Sequence, residues 1–187
     1  MIRSLVLTCL LLSCLPLGAA QPFRVYSPSS KNNTLWIVQA TPHGESLDLK
    51  VAKKVKFDFS GRVITAHPSK PLLYVTATGG DPGKVPGAVV FLNKDGSYLK
   101  HEKVNFNDGA CYLSLDKENR HILGVSYGNG RLNVYPLDDN GIPGKAITTI
   151  DEGKREAHCV LLPPDGKNIY VPYVKGNLAL LQYAYDG

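Results

Sequence analysis

One apolar pattern recurs along the chain. Leu72-Leu73-Tyr74-Val75, Ile122-Leu123-Gly124-Val125 and Asn168-Ile169-Tyr170-Val171 each follow a turn sequence: Pro68-Ser69-Lys70-Pro71, Asp116-Lys117-Glu118-Asn119 and Pro164-Asp165-Gly166-Lys167. Phe23-Arg24-Val25-Tyr26 is a weaker copy. The repeated valines stand at 25, 75, 125 and 171, a period of 50, 50 and 46 residues. A period of that length made of short strands is the mark of propeller blades, each a four-stranded antiparallel sheet. Helical repeats of similar length do not spend 18 glycines and 13 prolines in 187 residues.

The clearest repeat resolves into four expected strands, at 111–115, 121–127, 132–137 and 146–150. Period-two alternation is plain in Leu132-Asn133-Val134-Tyr135. The repeat before it reads as strands at 63–66, 72–76, 88–92 and 101–106, and the one after as 158–162, 169–173 and 178–185. The first unit has strands at 23–26, 35–40 and 49–57, with no innermost strand ahead of them. The expectation is an all-β chain of about three and a half blades, with limits near 23–58, 62–107, 110–151 and 157–187. Closed propellers use four to eight blades. An open array leaves sheet edges that invite self-association, so the chain reads as a truncated piece or as one that assembles with another copy.

Residues 1–20 lie outside that pattern. Met1-Ile2-Arg3 is a short positive start, residues 4–17 are Leu-rich, and Gly18-Ala19-Ala20 offers a small-residue cleavage site. This is the three-part layout of an export signal, too short for a membrane span. A buried N-terminal helix is the alternative. Leu11-Leu12-Ser13-Cys14 also resembles a lipoprotein box, which would make Cys14 a lipid anchor. The expected location is periplasmic or secreted. The net charge of +5 is mild and spread out, which argues against a nucleic-acid partner. Past residue 20 two cysteines remain, Cys111 and Cys159, at equivalent places in successive repeats. They read either as buried thiols or as a disulfide. The five histidines have no metal-ligand spacing, and no P-loop, dinucleotide fingerprint or nucleophile elbow is present. The sequence therefore calls for no metal and no cofactor.

Two stretches carry a family resemblance. The first is Val125-Ser126-Tyr127-Gly128-Asn129-Gly130-Arg131-Leu132-Asn133-Val134, with the Asp139-Asn140-Gly141-Ile142-Pro143-Gly144 turn after it. The second is Ala157-His158-Cys159-Val160-Leu161-Leu162-Pro163-Pro164-Asp165-Gly166-Lys167-Asn168-Ile169-Tyr170-Val171-Pro172. Together with the order of repeats they resemble the lactonase family of seven-bladed propellers, whose named activity is 6-phosphogluconolactone hydrolysis. The resemblance spans most of 23–187, about half of a family member. It implies a seven-bladed ring, a small lactone or sugar-like ligand, and a lactonase. The family often has a histidine where this chain has Tyr112.

Opening a lactone needs water driven onto a carbonyl by a base that works near neutral pH, and donors for the oxyanion that forms. Lys154-Arg155-Glu156-Ala157-His158 puts such groups at the mouth of an innermost strand. His158 is the candidate base, Arg155 the oxyanion or phosphate partner, and Glu156 the group that orients His158 or the water. Tyr127, Asn129, Arg131 and Lys175 lie in loops opening on the same face and are candidate ligand contacts. Against this stands a bland reading, in which the charged loop residues are solvated and Gly-Asn-Gly is turn chemistry. At the level of function, the alternative is a non-catalytic exported propeller that binds a ligand or partner.

Overall fold

The computed structural model describes residues 21–175 and 178–187; the expected leader and Cys14 lie outside the described residues. Four antiparallel sheets follow one another along the chain. The first is β1 (Phe23–Ser29), β2 (Thr34–His43) and β3 (Ser46–Lys56). The second is β4 (Val63–Ala66), β5 (Leu72–Thr76), β6 (Val85–Leu92) and β7 (Tyr98–Phe106). The third is β8 (Tyr112–Leu115), β9 (His121–Val125), β10 (Leu132–Pro136) and β11 (Thr148–Ile150). The fourth pairs β12 (Asn168–Tyr173) with β13 (Ala179–Ala184). Within each sheet the strands stand in chain order, the up-and-down layout of propeller blades.

Side-chain alternation explains the stacking. Neighbouring residues of a strand point to opposite faces. In β9, Ile122 enters the core shared with the first two sheets, while Leu123 and Val125 enter a second core shared with the fourth. In β10, Tyr135 joins the first core, and Leu132 and Val134 join the second. A sheet apolar on both faces must lie between two others, and all five residues of β5 are accordingly buried. The end sheets have one packed face each. Phe23, Val25, Leu49 and Val51 on the first, and Leu180 on the last, remain exposed.

Turns at one end of the array are set by side chains. Asp138 Oδ1 accepts from the Asn140 and Ile142 N–H groups at 2.9 and 2.7 Å. His67 Nδ1 accepts from Ser69 and Lys70 N–H at 3.2 and 3.1 Å. At this end Asp116, almost fully buried, ties the third sheet to the fourth. Its Oδ1 accepts from Arg120 and His121 N–H, and its Oδ2 meets His121 Nδ1 at 2.9 Å and accepts from the Tyr185 hydroxyl at 3.1 Å. Burial pushes the Asp116 carboxyl up. The His121 ring and N–H, the Arg120 N–H and the Tyr185 hydroxyl outweigh it and hold the carboxyl below its ordinary value. A carboxyl lowered in the folded chain stabilises fully above its unfolded value, near 4, and that stabilisation is lost as pH falls through the folded value. Denaturation midpoints from pH 7 to pH 3 should therefore separate the native chain from Asp116→Asn at neutral pH and converge in acid. A constant separation would contradict the assignment.

One element departs from the expectation. Residues 158–162 form no regular strand. Ala157 bridges Tyr173 and Leu161 bridges Tyr170, so the five residues 157–161 stand against four of β12. The extra residue makes a bulge that interrupts the ladder. Only the ends of the segment pair, through His158 N–H to Pro172 O at 3.0 Å and the mutual bonds of Leu161 and Tyr170 at 2.9 Å.

Candidate functional site

In an up-and-down sheet the start of the first strand and the end of the second lie at the same end, with the start of the third and the end of the fourth. The loops 57–62, 77–84, 107–111, 126–131, 151–157 and the one after Tyr173 therefore open on one face of the array. The sequence-predicted residues all lie on this face.

The structure sorts them into two groups. Tyr127, His158 and Lys175 come together. The His158 ring meets the Tyr127 ring edge-on, 6.1 Å between centroids, and Lys175 Nζ stands 5.6 Å from the centre of the same ring. His158 and Lys175 are exposed and Tyr127 is half-buried. Main-chain bonds hold the group. Glu156 N–H donates to Tyr127 O at 2.9 Å, and Val174 N–H donates to Glu156 O at 3.1 Å. Glu156 joins these two loops from a left-handed backbone, φ 60°. That conformation costs a non-glycine residue about 1 kcal/mol or more. Past it the chain turns so that Ala157 is buried and His158 faces out. Glu156 thus contributes through its main chain, and Arg155 is exposed beside it.

Asn129 and Arg131 belong to a second, structural group. Asp108 is 7% exposed. Its Oδ1 accepts from Asn129 Nδ2 at 2.6 Å and its Oδ2 from Asn133 Nδ2 at 2.9 Å. Arg131 lies 3.8 Å from Asp108 and donates through Nε to Asp151 Oδ2 at 2.9 Å. Asn133 Oδ1 accepts from the Thr149 hydroxyl at 2.7 Å. These two candidate ligand contacts also shape the Tyr127 loop. Gly130 lets that loop lie on the next one. It has φ +75°, and a Cβ placed on it would stand 1.8 Å from Lys154 O, so no other residue fits there.

Beside Tyr127 lies an open cleft of about 520 Å³, lined by Arg62, Val63, Thr78, Cys111, Tyr127 and Gly128. The sequence marks neither Arg62 nor Thr78, and marks Cys111 only as a buried thiol or disulfide partner. For Arg62 a signal existed. Its N–H bonds Thr76 O at the end of β5, as His158 N–H bonds Pro172 O in β12, so the two residues occupy the same point of the second and the fourth repeat. At the opposite end of the array a cavity of about 220 Å³ is lined by charged residues around Asp116 and Tyr185. Among the described residues no three metal-ligating side chains gather.

The model of the lactonase family, a 7-bladed β-propeller, matches residues 26–185. The 6-phosphogluconolactonase of Klebsiella pneumoniae is 27% identical over 164 residues, covering 86% of this chain and 46% of that protein. The 6-phosphogluconolactonase of Cronobacter sakazakii is 27% identical over 166 residues, covering 87% and 47%. The chain spans about half the length of these curated relatives. Among solved structures, the periplasmic gluconolactonase of Pseudomonas aeruginosa superposes with a TM-score of 0.70 at 14% identity, over 86% of this chain and 50% of that one. That likeness is one of fold.

Proposed function

The chain belongs to the lactonase family of seven-bladed β-propellers, and from that premise we propose that it opens the ring of a sugar lactone by base-assisted attack of water, on the face that carries His158. The observation carrying this reading is the assembly of His158 and Lys175 on one aromatic ring, beside a cleft wide enough for a sugar.

The residue types suit the reaction. An imidazole takes a proton near neutral pH and can return it. With the lactone carbonyl near His158, the ring nitrogen takes a proton from water as the water oxygen bonds to the carbonyl carbon. The carbonyl electrons become an oxyanion, which the Arg155 guanidinium is suited to stabilise, while the Lys175 ammonium is suited to hold a substrate oxygen before and during the reaction. Collapse of that intermediate breaks the bond to the ring oxygen, which takes the proton back from His158. One lactone and one water give one hydroxy acid. Tyr127 offers the apolar surface on which a sugar ring can lie, and it fixes the imidazole by edge contact. The 6-phosphogluconolactonases of Klebsiella and Cronobacter suggest the phosphorylated sugar lactone as the first substrate to try, and the periplasmic gluconolactonase suggests its unphosphorylated counterpart. The leader-like residues 1–20 support export.

Lys175→Met tests the ligand side of the site. Loss of one charged contact to a bound oxygen should raise KM about tenfold and leave kcat less affected. An unchanged KM on both lactones would remove Lys175 from the site.

A further inference from the structure

We propose that Cys111 and Cys159 are a redox pair, open as thiols in reducing surroundings and closed as a disulfide that staples the third sheet to the fourth beside His158. This goes beyond the lactonase reading and does not depend on it. Both cysteines are half-buried and unbridged in the structure. The Cys111 thiol lies between its own sheet and the next, with Sγ 3.4 Å from Val125 O, 3.1 Å from Ala157 O and 3.6 Å from His158 O. The His158 carbonyl carbon is bonded to the Cys159 nitrogen, so Cys111 Sγ lies within about 6.5 Å of the Cys159 Cα. The two thiols are near enough that charge on Cys159 disfavours charge on Cys111. Residues 159 and 160 lie between the bridges at Ala157 and Leu161 and join no strand ladder, so this part of the segment can shift by the small amount that disulfide geometry demands.

The oxidant is a small disulfide, R–S–S–R. One cysteine thiolate attacks it and releases R–S⁻. The second cysteine, as thiolate, attacks the mixed disulfide and releases a second R–S⁻. The two protons lost by the cysteines end on two R–SH, and two electrons pass from the cysteines to the oxidant. Burial pushes both thiols above the ordinary range, so closure runs faster at pH 9 than at pH 7. The closed bond would hold His158 against Tyr127 and restrain the bulged segment.

The test is oxidation of the full chain with oxidised glutathione, followed by alkylation, tryptic mapping and a melting curve. The expected products are one linked peptide pair, residues 104–117 with 156–167, and a melting midpoint raised by roughly 5–10 °C. Cys111→Ser and Cys159→Ser should each abolish the link and the rise, and dithiothreitol should reverse both. The map separates this bond from any at Cys9 or Cys14. Glutathione left on single cysteines, links between chains, or thiols still alkylatable after prolonged oxidation at pH 9 would each overturn the pair.

Discussion

His158→Ala should lower lactone turnover by about a hundredfold to ten-thousandfold, the usual worth of a positioned general base. The loss should fall on kcat and kcat/KM together, since proton transfer occurs only on the way to the transition state. The fold should survive. His158 is exposed, and its neighbours are held through main-chain bonds of Glu156, Ala157 and His158 itself, which alanine keeps. Circular dichroism and the melting midpoint should therefore match the native chain. His158→Gln separates the roles, because glutamine keeps a polar side chain of similar reach but is no base at neutral pH. If His158 is the base, both variants lose turnover alike. Native turnover in either would move the base elsewhere, and Arg62 and Tyr127 would then have to be reconsidered as the centre of the site.

Asp108→Ala should cost about 3–4 kcal/mol of stability, roughly 10 °C in melting midpoint for a chain of this size. The carboxylate lies behind the Tyr127 loop and holds two amides, one of them on the almost fully buried Asn133. Removing it strands the Asn133 donor away from water, frees the half-buried Asn129 amide and leaves Arg131 with Asp151 alone. Asp108→Asn keeps one acceptor oxygen and should cost markedly less. Because Asn129 and Arg131 shape the loop that presents Tyr127, the alanine variant should also weaken ligand binding. A melting midpoint unchanged in Asp108→Ala would show that the network contributes little to the fold.

The repeat was legible because strand chemistry is local. The alternation in Leu132-Asn133-Val134-Tyr135, and the turn residues at Asp116, Asp138 and Pro164, depend on neighbours a few positions away. β4, β5 and β9–β13 accordingly lie within a few residues of where periodicity puts them. The bulge at 158–162 was not legible, because it comes from a register slip against β12 that no residue type marks. Nor was the left-handed Glu156, since glutamate carries no signature for positive φ.

The candidate site divides along the same line. His158 stands out because an imidazole at a strand mouth is chemically conspicuous, and Tyr127 and Lys175 follow from equivalent loops. Asn129 and Arg131 read as ligand contacts, and the sequence hides that they also hold Asp108. Asp108 is 21 residues from Asn129 and 25 from Asn133, and only packing between loops brings them together. Arg62 was hidden for a different reason. The repeats align best on their second strands, whereas Arg62 and His158 match at the mouths of the innermost ones.

The central claim is that this chain opens a sugar lactone, and acid release is its direct readout. The unmodified full chain is given 6-phosphoglucono-δ-lactone and glucono-δ-lactone at constant pH, and titrant uptake is corrected for spontaneous opening. The account predicts a saturable rate above the spontaneous one, one proton per lactone consumed, on at least one of the two. No rate above the spontaneous one on either lactone, from a chain whose circular dichroism shows its β-sheets intact, would contradict it.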